Sequence, residues 1–137
     1  LALGLKYLGS DFSVVNIQIA QRRGLPGNFH FSVRDLVAEP VTVNDPQNTF
    51  VVSVEFLEHI IQDLTVLERL PVGTTVIFTV PDHESEGHER WFVSTDEVAA
   101  RYASLFDAFE VEPLVIGTRY YFIARGKRAA KKTETAE

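Results

Sequence analysis

The sequence contains no cysteine, no methionine and a single tryptophan in its 137 residues. Without thiols there is no disulfide and no thiolate nucleophile, and any metal site must draw on carboxylate and imidazole donors. Positive charge is scarce as well. Thirteen Lys and Arg against nineteen Asp and Glu leave a net charge of −6, which argues against a general nucleic-acid binder that must neutralise phosphates. No apolar run is long enough to span a bilayer, and the opening residues do not read as a signal peptide, so a cytoplasmic protein is the expectation. The missing methionine includes position 1, and the chain opens in mid-stride with "LALGLKYLGSD". The expectation is a piece of a longer chain, with its first element before Leu1.

What is present is ordinary globular composition, 45% hydrophobic and 23% charged, in a length that suits one domain. Residues 1–125 read as that domain. The basic stretch "RGKRAAKK" (Arg125–Lys132) opens a polar tail, 126–137, expected to be disordered and solubilising rather than phosphate-binding.

Along the chain, "KYLGS" reads as a short strand ending at Asp11, and Ser13 caps a helix through "VVNIQIAQRR" that Gly24 stops. "FHFSV" (29–33) alternates as a strand ending near Asp35. Residues 37–48 hold two prolines and read as irregular. "TFVVSV" (49–54) is nearly all apolar and predicts a strand covered on both faces. A helix follows over about 56–70, with Leu57, Ile60, Ile61, Leu64 and Leu67 on one face, ended by Pro71 and Gly73. "TTVIFTV" (74–80) is a second buried strand. Ser94 and Glu97 form a capping box for a helix whose apolar face is Val98, Tyr102, Leu105 and Phe106. "FEVEPLVI" and "RYYFIAR" are strands joined by Gly117 and Thr118, a link that permits only a hairpin. The order implies an α/β fold, a largely parallel sheet with an antiparallel C-terminal hairpin. Ligands in such sheets sit at the carboxyl ends of strands, where Asp11, Asp35, Glu55 and Asp82 fall.

"GSDFS", "VRDL", "VEFLEHI", "LERLPVGTTVIFTVPD" and "GHERWF", in this order, resemble the class I S-adenosylmethionine-dependent methyltransferases of the small-molecule type. The resemblance covers nearly everything from Lys6 to Arg128 and implies a Rossmann-like sheet. It implies that Asp11 accepts the cofactor ribose hydroxyls, Phe12 packs on the adenine, Asp35 takes the adenine amino group and the Leu36 backbone meets the ring edge. The family's glycine-rich first loop would lie before Leu1, and Asp82 stands where many relatives have Asn. The 137-residue chain by itself is accordingly expected to bind the cofactor weakly and to self-associate through an uncovered sheet.

The segment "EFLEHI" (55–60) carries two carboxylates and an imidazole at the end of a strand. On a helical wheel Glu55, Glu58 and His59 lie opposite the apolar stripe, and taken alone they are the wet face of a helix. With His88 in the loop after the next strand, the arrangement resembles metal-assisted O-methyltransferases. That resemblance implies Mg²⁺ or Mn²⁺ on Glu55, Glu58, His59 and His88; without metal, His59 would serve as general base. His30 and His83 read as ordinary strand and loop residues. Carboxylate di-metal bundles need four long helices and metalloproteases a His-Glu-x-x-His motif; neither is present. Methyl transfer to an oxygen or nitrogen of a small molecule is the leading reading, and a non-catalytic remnant of that fold acting as an interaction domain is the alternative.

Overall fold

A computed structural model describes residues 4–131. The chain forms two compact units, Leu1–Glu39 and Pro40–Glu137. The fold is mixed α/β, with parallel strand pairs and an antiparallel C-terminal hairpin, and its strands hydrogen-bond in two sheets.

In the first unit, β1 (Tyr7–Asp11) leads into α1 (Val14–Arg22), and β2 (Phe29–Val33) returns parallel to β1 with Asp11 opposite Val33. The Ser13 hydroxyl accepts the Asn16 amide at 3.2 Å and so caps α1 as expected. Gly24 follows with φ +62°, the left-handed step a glycine takes most cheaply after a helix.

The second unit holds β3 (Phe50–Ser53), α2 (Asp63–Glu68), β4 (Thr75–Pro81), α3 (Thr95–Tyr102), β5 (Phe106–Ile116) and β6 (Arg119–Arg128). Its sheet runs β3-β4-β6-β5. β4 is central, and Val76, Phe78 and Val80 are completely buried among Leu57, Leu67, Val98 and Tyr102. Each such side chain is worth about 1.5–3 kcal/mol of burial. The Ser94 hydroxyl accepts the Glu97 amide at 3.2 Å, while Glu97 reaches back to the Val93 amide, one residue earlier than in the usual capping box. Gly117 stands first in the two-residue hairpin turn with φ +62°, as a type II′ turn demands.

Several expectations are corrected. β3 is an edge strand, and Phe50 and Val52 are exposed rather than covered on both faces. The helix expected over 56–70 is broken into a 3₁₀ turn, Leu57–His59, and the short α2, with Ile60 extended between them and Ile61 exposed. The break has a physical cause. Arg90 donates to the carbonyls of Leu57, Ile60 and Ile61, which a continuous helix would give to its own amides.

β5 starts at Phe106, not Phe109, and carries a bulge between Asp107 and Glu110 with Ala108 at φ +51°. Residues three apart on a strand normally face opposite ways. The extra residue turns Phe106 and Phe109 to one side, where their rings stack at 5.4 Å. β6 continues past Arg125 to Arg128, so residues 126–128 belong to the sheet rather than to a tail. Arg128 is buried because its guanidinium serves the carbonyls of Glu68, Leu105 and Ala129. Residues 132–137 of the expected tail lie outside the described residues. Among the described residues, no helix is long and apolar enough to cross a membrane.

Candidate functional site

β3 and β4 are parallel neighbours, so the chain leaves both at the same edge of the sheet. The segment after β3 carries Glu55, Glu58 and His59; the loop after β4 carries Asp82, His83 and His88. Three groups converge. One ligand atom each from Glu58, His59 and His88 lies within 4.8 Å of the others.

Their environments differ. Glu58 is 1% exposed, and its Oε2 has no hydrogen-bond partner. That overturns the expectation that Glu58 lies on a wet helix face. The broken helix turns it inward, and burial pushes its carboxyl above the usual range, opposed by its own backbone amide and by His59 and His88. His59 is exposed and His88 half-buried, with their rings edge to face at 4.9 Å. His59 Nδ1 lies 2.9 Å from the Gly87 carbonyl, and His88 Nδ1 lies 3.2 Å from the His83 carbonyl. A carbonyl can only accept, so each Nδ1 carries a proton, and in the neutral ring Nε2 is then the nitrogen with the lone pair. Gly87 presents its carbonyl from φ +80°, a conformation that favours glycine.

Glu55, the fourth expected ligand, does not join this group of three. Its carboxylate accepts the Tyr121 hydroxyl at 2.8 Å, and its amide donates to Thr79 Oγ1 at 3.2 Å. It holds φ +47°, a strained conformation for a non-glycine residue. The bond to Glu55 raises the Tyr121 hydroxyl's pKa, with burial adding to it.

His83, read from sequence as an ordinary loop residue, belongs to an aromatic row. Its ring lies 5.8 Å from His88 and 5.7 Å from Tyr121, and Nδ1 meets Asp82 at 3.2 Å. A cavity of about 330 Å³ opens beside it, lined by Asp82, Ser85, Thr118, Arg119 and Tyr120. Only the adjacency of His83 to Asp82 hinted at this in the sequence.

The residues expected to hold the cofactor lie in the first unit. Asp11 ends β1, with one oxygen on the Ser13 amide at 2.8 Å and the other on the Asn16 side chain at 3.1 Å. Phe12 is 75% exposed. Asp35 Oδ1 accepts the amides of Val37 and Ala38, and Leu36, between Asp35 and Val37, is half-buried. The Arg34 amide donates to the Asp11 carbonyl at 2.9 Å, which ties the two strand ends together. Asp11, Phe12, Asp35 and Leu36 thus gather at one end of the β1–β2 pair.

No protein-family model and no curated protein matches the sequence. Solved structures do match. A structure titled as the DhpI–SAH complex aligns over 91% of this chain and 67% of its own, with TM-score 0.60 and 18% identity. The PH0226 protein from Pyrococcus horikoshii OT3 aligns over 91% of this chain and 73% of its own, with TM-score 0.57 and 17% identity. At such identities the likeness is one of fold.

Proposed function

We propose that the chain belongs to an S-adenosylmethionine-dependent methyltransferase that transfers a methyl group to an oxygen or nitrogen of a small molecule. The observation that carries this is the convergence of Glu58, His59 and His88 at the carboxyl ends of β3 and β4, in a fold similar to one solved with SAH. SAH, read as S-adenosylhomocysteine, is what S-adenosylmethionine becomes when its methyl group leaves. In the first unit, Asp11 and Asp35 are the acceptors for ribose hydroxyls and the adenine amino group, Phe12 offers an exposed ring for stacking, and Leu36 contributes backbone.

The donor set fits a divalent cation. Glu58 Oε2 is a buried oxygen without a partner, and each imidazole is held through Nδ1 by a carbonyl, so that in its neutral form Nε2 is the nitrogen available to a cation. Glu58, His59 and His88 would be the ligands, and two nitrogens beside one carboxylate favour Mn²⁺ over Mg²⁺. A cation bound there supplies Lewis acidity that lowers the pKa of an acceptor hydroxyl. Glu55 plays a different part, holding the Tyr121 hydroxyl rather than the cation. If turnover needs no metal, His59 Nε2 is the exposed base that remains for the acceptor proton.

The test is saturable binding of S-adenosylhomocysteine by calorimetry on the full-length protein, followed by methyl transfer with and without EDTA. Loss of binding in Asp11→Ala and Asp35→Ala, and EDTA-sensitive transfer partly restored to Glu58→Ala by excess Mn²⁺, are the expected results. No saturable binding would mean a non-catalytic relative of the fold. EDTA-resistant transfer that His59→Ala abolishes would replace the metal with a general base.

A further inference from the structure

The two loops that bring Glu58, His59 and His88 together are laced by a single side chain. Arg90 lies two residues after His88, and its side chain is 14% exposed. One guanidinium nitrogen donates to the carbonyls of Leu57 and Ile60, and the other donates to the Ile61 carbonyl at 3.3 Å. That second nitrogen also lies 3.3 Å from Asp63 Oδ1. Asp63 is completely buried at the start of α2 and is fixed by Arg101 at 2.7 and 2.8 Å and by the Tyr102 hydroxyl at 2.7 Å. Two shorter links complete the lacing: the Glu89 amide on the Glu58 carbonyl at 2.7 Å, and His59 Nδ1 on the Gly87 carbonyl.

Carbonyls at a broken helix must find other donors or be left unpaired. Here one planar fork satisfies three of them and faces a carboxylate, a set of directions that the compact ammonium of lysine cannot reproduce. The carbonyls it takes flank Glu58 and His59 on both sides. The same contacts that end the helix therefore set where those two side chains point.

We infer that Arg90, anchored by Asp63, is a positioning residue: it holds the Leu57–His59 turn in the one conformation in which the buried Glu58 carboxylate meets His59 and His88. The inference rests on the site proposed above but concerns the imidazoles whether or not a metal binds them. Arg101 supplies the control, because among the described residues it bonds the same Asp63 carboxylate and none of the turn's carbonyls.

The experiment compares wild type, Arg90→Lys and Arg101→Lys by ¹⁵N–¹H correlation of the histidine rings without metal, and by Mn²⁺ titration followed by electron paramagnetic resonance. In wild type, His59 carries its proton on Nδ1. Arg90→Lys is expected to release His59 to a mixture of tautomers and to weaken Mn²⁺ binding by about 10-fold or more. Arg101→Lys should leave the tautomer unchanged even where its thermal stability falls as far. The inference is overturned if both variants disturb His59 equally, if neither does, or if Arg90→Lys binds Mn²⁺ within about twofold of a wild type that binds it. A wild type that ignores Mn²⁺, with the tautomer lost only in Arg90→Lys, removes the metal and keeps the positioning role. Should Arg90→Lys fail to fold by circular dichroism, Arg90→Gln is read by the same criteria.

Discussion

Replacing Asp63 by Asn keeps the side chain's shape and removes the charge on which Arg90, Arg101 and Tyr102 converge. The carboxylate is completely buried and accepts bonds of 2.7 and 2.8 Å from Arg101 and 2.7 Å from Tyr102, with Arg90 at 3.3 Å. Removing one partner of a buried ion pair costs about 3–5 kcal/mol. Arg101 keeps a third of its side chain in water and can re-solvate, so the low end, about 3 kcal/mol, is the expected loss at pH 7. Burial alone would raise the Asp63 carboxyl's pKa. The bonds from Arg101 and Tyr102, with the charges of Arg90 and Arg101, outweigh burial and hold it below the usual carboxylate range. Because the folded value lies below the unfolded one, the stabilisation is complete above the unfolded pKa, about 4, and is lost as pH falls through the folded pKa. Wild type should therefore exceed Asp63→Asn by about 3 kcal/mol from pH 7 down to about pH 5, and the gap should close towards pH 2. Urea unfolding followed by the fluorescence of Trp91, the single tryptophan and in the same compact unit, measures it. A gap under about 1 kcal/mol at pH 7, or one unchanged at low pH, would refute the reasoning.

Glu58→Gln should raise the stability of the metal-free protein by about 1 kcal/mol, because it removes the charge from a buried carboxylate with one unpaired oxygen. Thermal melts with EDTA check this, and a lower midpoint would show that the carboxylate already has a stabilising partner. Gly126→Ala should cost about 1–3 kcal/mol, since a Cβ there would meet the Phe106 Cβ at 2.7 Å in the sheet interior. An unchanged urea midpoint would mean that β5 yields at its bulge.

What the sequence made legible was whatever local chemistry decides. Ser13, Ser94 and Gly24 mark helix ends because a hydroxyl cap or a left-handed residue acts within three or four positions. Gly117-Thr118 marks a hairpin because two residues can do nothing else. The break at Ile60 was not legible, because Leu57, Ile60, Leu64 and Leu67 do repeat at helical spacing. The group that overrides the repeat, Arg90, is 30 residues away from Ile60 in sequence. The same distance hid the burial of Glu58, for a wheel drawn on an unbroken helix turns it to solvent. "TFVVSV" misled in the opposite direction. A continuous apolar run says that a strand can be buried on both faces; it does not say that both faces are covered here.

The burial of Glu58 is hard to explain by stability alone. A carboxylate taken out of water with one oxygen unpaired costs free energy that a leucine or glutamine would not. Around it the fold adds a second cost, the left-handed Glu55, and binds the segment through Arg90 to the buried Asp63, which Arg101 and Tyr102 hold. A turn kept only for packing needs none of this: a continuous helix over 56–70 would satisfy the same carbonyls with its own amides. The arrangement also changes where Glu58 points. On an unbroken helix Glu58 and His59 project about 100° apart on the polar side, opposite the apolar stripe, with Glu58 facing solvent. The 3₁₀ turn, stopped at Ile60, lets both reach His88. Strain, an unpaired carboxylate oxygen and an interrupted helix thus fall on the same few residues, and what they have in common is the convergence of one oxygen and two imidazole nitrogens.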